Sequence, residues 1–158
     1  TMQGLKAVLD MLHWFASGQI RNVAVLAGNI ATASPISDLN PVLMALGASL
    51  TMGASGAAPR EVPVRDFFKS YRVVDMQPNE VICSVRVPAP KNRYEFVRAF
   101  KQAKRRDDDI SIVNACLRVQ LAPGPDGWKV EKIHTGFGGM APMTVRAHRT
   151  EAAVEGAL

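Results

Sequence analysis

Cysteine is scarce in this chain: 158 residues carry two, Cys83 and Cys116, and neither belongs to a Cys-x-x-Cys pair. That excludes a disulfide framework and a cysteine-based zinc site, and a reducing compartment is the expectation. The three histidines, His13, His134 and His148, have no metal-ligand spacing and read as structural or surface residues. No apolar run approaches the roughly 20 residues that span a bilayer, so no membrane association is expected. The first apolar stretch is interrupted by Lys6, Asp10 and His13, unlike the core of a secretory signal peptide. Neither a GxGxxG nor a GxxxxGK[ST] pattern occurs, which leaves no basis for a Rossmann or P-loop nucleotide site.

What is present is ordinary globular composition, 47% hydrophobic and 21% charged, which argues against disorder. The net charge of +5 raises the question of a polyanionic partner. The densest basic cluster, Lys101 to Arg106, runs straight into Asp107, Asp108 and Asp109. A nucleic-acid footprint seldom sets three carboxylates against its basic patch, so no nucleic acid is expected, and a polyanion-binding module stays as a rival reading. Thr1 precedes Met2 inside what reads as a helix, and residues 151–158 read as a helix start. The expectation is a segment of a longer polypeptide.

Leu5, Val8, Leu9, Leu12 and Phe15 or Ala16 share one helical face, with Gly18 as the stop. Val23 to Ala33 is too irregular to assign as a strand. A second helix is expected from near Asp38, capped by Ser37 or Asp38, with Pro41 in its first turn and Gly47 closing it. Ser49–Met52 and Glu61–Val64 read as a hairpin around residues 53–56. Over Glu80–Val87 the alternation puts Val81, Cys83, Val85 and Val87 on one face. Tyr94–Phe100 reads as a further strand, and Val113–Leu121 pairs with Trp128–Thr135 across the turn 123–127. The fold class is therefore α+β with antiparallel strands, divided near Pro88–Pro90 into residues 1–90 and 91–158.

The chemistry concentrates in Gly28-Asn-Ile-Ala-Thr-Ala-Ser-Pro-Ile-Ser-Asp38-Leu-Asn-Pro41. Small residues, hydroxyls and a helix start suit a phosphate or ribose ligand, with the Asp38 carboxylate accepting from ribose hydroxyls. The plainer reading is a tight connection in which Ser37 or Asp38 caps the helix. Three further blocks stand beside it: Trp14-Phe-Ala, Phe100-Lys-Gln-Ala-Lys-Arg-Arg-Asp-Asp-Asp-Ile110, and Gly138-Gly-Met-Ala141. In this order and near this spacing, the blocks resemble the FAD domain of the xanthine dehydrogenase/oxidase branch of the molybdenum hydroxylases, over nearly the whole chain.

The resemblance implies an FAD-binding lobe of the vanillyl-alcohol-oxidase (PCMH) kind, followed by a small lobe with an antiparallel sheet and helices. It implies cofactor contacts at Phe15, along Val25, Leu26, Ala27, Gly28 and Asn29 taken as a turn, and at Asp38, Ile82 and Lys101. It also implies a loop at 102–110 that controls nicotinamide access, with Arg105 and Asp108 trading places near the flavin. Ala27 stands where the family often has a second glycine, and its main pyrophosphate-binding glycine motif is not in this sequence. Further implications are molybdopterin and [2Fe-2S] clusters in other domains, NAD or dioxygen as electron acceptor, a homodimeric parent, and a cytoplasmic or peroxisomal location. The function implied is passage of electrons from iron–sulfur clusters through FAD during oxidation of hypoxanthine and xanthine to urate. No residue of this segment is expected to be catalytic on the purine. Read without the resemblance, Phe15 and Ile82 are core residues, Lys101 is a solvated strand end, and Asp109 is a loop cap. A structural segment that binds nothing alone is the second rival.

Overall fold

The computed structural model describes residues 3–89, 94–125 and 127–157, beginning with helix α1, Gln3–His13. Its stripe turns Ala7 and Met11 into the core. The apolar spacing predicts a helix reaching Ala16 with Gly18 as its stop, but the helix ends three residues sooner. The turn is made by Ala16 itself, at φ 44°, in the left-handed region where a Cβ is disfavoured by about 1–2 kcal/mol. Arg21 offsets that strain by donating through Nη1 to the carbonyls of Phe15 and Ala16, each at 2.7 Å. Gly18 then opens helix α2, Gly18–Val23. Helix α3 is Leu26–Ala31, so residues 25–29 form a helical first turn rather than the open turn expected of them.

Helix α4, Asn40–Leu46, has Pro41 in its first turn and is closed by Gly47 at φ 71°, as the sequence indicates. Its cap differs. Ser37 Oγ accepts from the Asn40 amide at 3.3 Å, whereas Asp38 makes no capping bond. All seven residues of α4 are buried, because the helix lies between two cores. Leu43 and Met44 face Leu50, Met52, Val62, Val64 and Phe67. Val42, Ala45 and Leu46 face Ala7, Met11, Val97 and Cys116.

The first core is roofed by the antiparallel sheet β2-β1-β5, from β1 (Ser49–Ala54), β2 (Arg60–Pro63) and β5 (Glu80–Arg86). Between β2 and β5 come helix α5 (Val64–Phe67) and a small hairpin of β3 (Phe68–Ser70) and β4 (Val73–Val74). The strict alternation expected along Glu80–Val87 fails at one point. Thr51 pairs with Ser84 but Met52 with Ile82, so Cys83 is the extra residue of a bulge. Ile82, Val85 and Val87 pack on the core as a result, while Val81 and Cys83 are exposed.

The second sheet, β6-β7-β8, joins Glu95–Gln102, Val113–Gly124 and Gly127–Gly138 as antiparallel neighbours, matching the expected pairing. Helices α1 and α4 cover one of its faces. A Cβ at Gly136 would stand 2.1 Å from the Pro41 carbonyl oxygen, so only glycine lets α4 approach β8 this closely. Helix α6, His148–Val154, runs along the free edge of β8, where Glu151 accepts from the backbone and hydroxyl of Thr135. The expected lobe boundary at Pro88–Pro90 lies partly outside the described residues.

Cys116 is fully buried in the second core, and burial pushes its thiol up to about 12, whereas Cys83 is exposed. At neutral pH, a thiol reagent is expected to modify Cys83 within minutes and Cys116 only on unfolding. Equal rates at both, resolved by peptide mapping, would contradict this packing.

Candidate functional site

The loop from β6 to β7 folds back over the connection that precedes α4. Lys101, expected in the plainer reading to be a solvated strand end, is buried instead, at 9% side-chain exposure against 8% for its partner Asp38. Its Nζ donates to Asp38 Oδ2 at 2.8 Å and to the Trp14 carbonyl at 2.9 Å. Ser111 Oγ donates to the other carboxylate oxygen, Oδ1, at 2.5 Å. Asn114 Nδ2 donates to the Ser37 carbonyl at 2.9 Å, and Ser37 Oγ donates to Asn29 Oδ1 at 2.9 Å. The region 29–38, the corner at Trp14 and the start of β7 thus share one polar network.

Above this network opens a cleft of about 540 Å³, lined by Phe15, Asn29, Asp38, Arg72, Arg105 and Asp108 among others. Three of the lining residues, Ala16, Arg72 and Asp108, hold positive φ without being glycine, at 44°, 54° and 48°. Backbone strain of this kind persists where surrounding contacts impose it, and it gathers at functional sites. An adjoining groove of about 270 Å³ is lined by Val25 and Leu26 together with Phe15 and Asn29. Of the remaining expected contacts, Ala27 is half-buried on α3 and Gly28 exposed, while Ile82 sits in β5 across from Met52.

The loop carries its own ties. Asp109 accepts from the Arg105 amide at 2.8 Å and from the Ile110 amide at 2.9 Å, and these backbone bonds, the Arg105 one foremost, hold its carboxyl below the ordinary range. Arg105 Nη2 donates to the Asp108 carbonyl at 2.9 Å. Arg106 lies over the Trp14 ring, 5.9 Å from its centroid.

Sequence reasoning missed Arg72, Ser111 and Asn114. Arg72 is invisible because it reaches the cleft from the tip of the short β3–β4 hairpin. Ser111 and Asn114 had a faint signal, a pair of polar residues three apart where the loop gives way to β7. Among the described residues there is no cluster that could hold a metal ion, and no helix is long and apolar enough to cross a membrane.

The residues fit a flavin dinucleotide. Asp38 presents a carboxylate to hydroxyls, Asn29 and Ser37 offer amide and hydroxyl groups, and Arg72 and Arg105 bring cations to the same cleft. Gly28 adds a second observation. It sits inside α3, where glycine costs about 1 kcal/mol, yet a Cβ there would meet nothing nearer than Val25 Cβ at 3.9 Å. Among the described residues nothing packs closely enough to require that glycine, whereas a ligand lying against the helix backbone would.

Residues 1–90 match the family described as the FAD-binding domain in molybdopterin dehydrogenase, and residues 98–158 match the CO dehydrogenase flavoprotein C-terminal domain. A nicotinate hydroxylase of Emericella nidulans is 51% identical over 96% of this chain. A xanthine dehydrogenase of the same fungus is 47% identical over 98%, and one from Oryza sativa is 46% identical over 96%. The chain spans 11% of the length of each of these relatives. Among solved structures, a carbon monoxide dehydrogenase of Hydrogenophaga pseudoflava superimposes with a TM-score of 0.87 at 24% identity, covering 96% of this chain and 50% of that one. The carbon monoxide dehydrogenase of Oligotropha carboxidovorans gives 0.86 at 20% identity, covering 97% and 51%, and both show the shared fold.

Proposed function

Because this chain belongs to the family of FAD-binding domains of molybdopterin dehydrogenases, we propose that it forms one wall of the flavin site in an enzyme of the xanthine dehydrogenase type. Residues 1–90 would be the C-terminal part of the FAD-binding lobe, and 91–158 would open the lobe that follows. The parent enzyme would take electrons from iron–sulfur clusters in another domain and deliver them to NAD or dioxygen, during oxidation of hypoxanthine and xanthine to urate at a molybdopterin domain. A homodimeric parent in the cytoplasm or peroxisome belongs to the same proposal. The observation that carries it is convergence: Phe15, Asn29, Asp38, Arg105 and Asp108, spread over 94 positions, line a single cleft.

When bound, FAD supplies the redox chemistry, accepting electrons singly and passing them on singly or as hydride. The chain's own residues orient and tune. Asp38, Asn29 and Ser37 offer hydrogen-bonding groups, and Phe15 offers an apolar ring at the rim of the cleft. Asp108 and Arg105 set the sign of charge at its mouth: a carboxylate there disfavours negative charge on a ligand, and a guanidinium favours it.

Asp108→Ala in the intact protein is expected to raise the potential of its bound flavin and to change NAD reduction relative to oxygen consumption. Spectroelectrochemical titration alongside both rates checks this, and an unchanged potential with an unchanged ratio would defeat it. A second reading, with nicotinate as substrate, is favoured by the 51% identical relative. Turnover of hypoxanthine and nicotinate by the intact protein separates the two. The polyanion reading has less support, because Lys101 is buried on Asp38 and Arg106 is stacked on Trp14.

A further inference from the structure

The segment 102–110 leaves β6 after Gln102, and its neck is closed where the Ile112 amide donates to the Gln102 carbonyl at 2.8 Å. The residues that bracket it, Lys101 and Ser111, reach the same carboxylate from opposite ends. Lys101 holds Asp38 Oδ2 at 2.8 Å and Ser111 holds Oδ1 at 2.5 Å. Asp38 and Ser111 are buried, yet both belong to the wall of the cleft. Lys101 lies in regular ladder pairing with Asn114, so its position is fixed by the sheet. Ser111 follows the irregular stretch and precedes β7, so its hydroxyl, beside the Ile112 backbone bond at the neck, ties the returning limb of the loop to the cleft wall.

We propose that Ser111 is a positioning residue: through Asp38 it clamps the 102–110 loop over the cleft, so that closure of the loop and occupation of the cleft are coupled. A carboxylate offers about four lone-pair sites, and the clamp uses two, which leaves acceptor capacity for a ligand hydroxyl. A ligand bonded to Asp38 fixes the rotamer that Ser111 needs. By linkage, whatever holds Asp38 for the loop also holds it for the ligand. The coupling rests on the flavin reading above, whereas the clamp itself does not.

The test uses trypsin, because Lys104, Arg105 and Arg106 lie in the loop and are exposed. In the intact protein, stripped of FAD and reloaded, Ser111→Ala is expected to speed cleavage at these three residues about tenfold. That is the worth of one hydrogen bond to a charged group when cleavage follows the open population. Ser111→Thr, which keeps the hydroxyl, is expected to cleave at the parent rate. FAD is expected to slow cleavage in the parent and in Ser111→Thr, and to bind Ser111→Ala about tenfold more weakly. Cleavage at the buried Arg118 serves as the control for general unfolding and should not change. Equal loop cleavage in Ser111→Ala and the parent overturns the clamp. FAD that binds the parent without slowing its cleavage overturns the coupling. No binding of FAD to the parent overturns the flavin reading instead, while the FAD-free comparison still decides the clamp.

Discussion

Asp38→Ala is expected to destabilise the domain by about 3–5 kcal/mol, because it strands the Lys101 ammonium in a site from which water is largely excluded. A helix cap would lose only about 1 kcal/mol, and the structure removes that reading, since Ser37 rather than Asp38 serves the α4 amides. At about 2–4 °C per kcal/mol for a domain of this size, calorimetry of the intact protein should show this domain melting at least 6 °C lower. The double variant Asp38→Ala/Lys101→Met should recover most of the loss, because no unpaired charge remains. Flavin content is a separate readout. If Asp38 also bonds the cofactor, the double variant regains stability but stays about tenfold to a hundredfold weaker for FAD. A single variant melting within a degree of the parent would sink the buried-pair account.

The second large effect lies at the opposite end of α4. Arg118 forms a two-point pair with Glu95, at 2.9 and 3.1 Å, and through Nη1 donates to the Leu46 carbonyl at 2.7 Å. Gln120 donates to the same carboxylate at 2.7 Å. Side-chain exposures of 7% and 2% mean that neither charge can fall back on water. Arg118→Ala is therefore expected to cost about 3–5 kcal/mol, read as a lowered denaturation midpoint with an unchanged slope. Arg118→Met/Glu95→Leu, which buries no charge, should lie within about 2 kcal/mol of the parent. If the single and double variants are equally unstable, packing volume rather than stranded charge holds this end of the helix.

These two pairs explain how the site is built. One helix, α4, is anchored at its start by the network around Asp38 and at its end by Arg118, both from the second sheet. The cleft wall at 29–38 is thus held in place by residues 60 to 80 positions away, which no local pattern reveals. Charge alone is equally uninformative, since Lys101 belongs to a run of basic residues that looks solvated on paper.

The sequence by itself determined the α+β class, the presence of β6, β7 and β8 and the pairing of the last two, the stop of α4 at Gly47, and the two blocks whose family likeness led to FAD. These are local properties: alternation, turn residues, a glycine where φ must be positive, and residue order. Tertiary structure decided what depends on distant partners. Ala16 takes a left-handed turn whose carbonyls Arg21 satisfies from the next helix, so α1 ends early and Gly18 begins a helix instead of ending one. Cys83 leaves the expected face because the pairing of β5 with β1 slips by one residue there. Asp38 is a buried ion-pair partner rather than a cap because the 102–110 loop returns Ser111 and Lys101 to it. At Asp38 the deciding energy is a set of hydrogen bonds and an ion pair formed across the fold, worth more in a low-dielectric interior than the local preference they override.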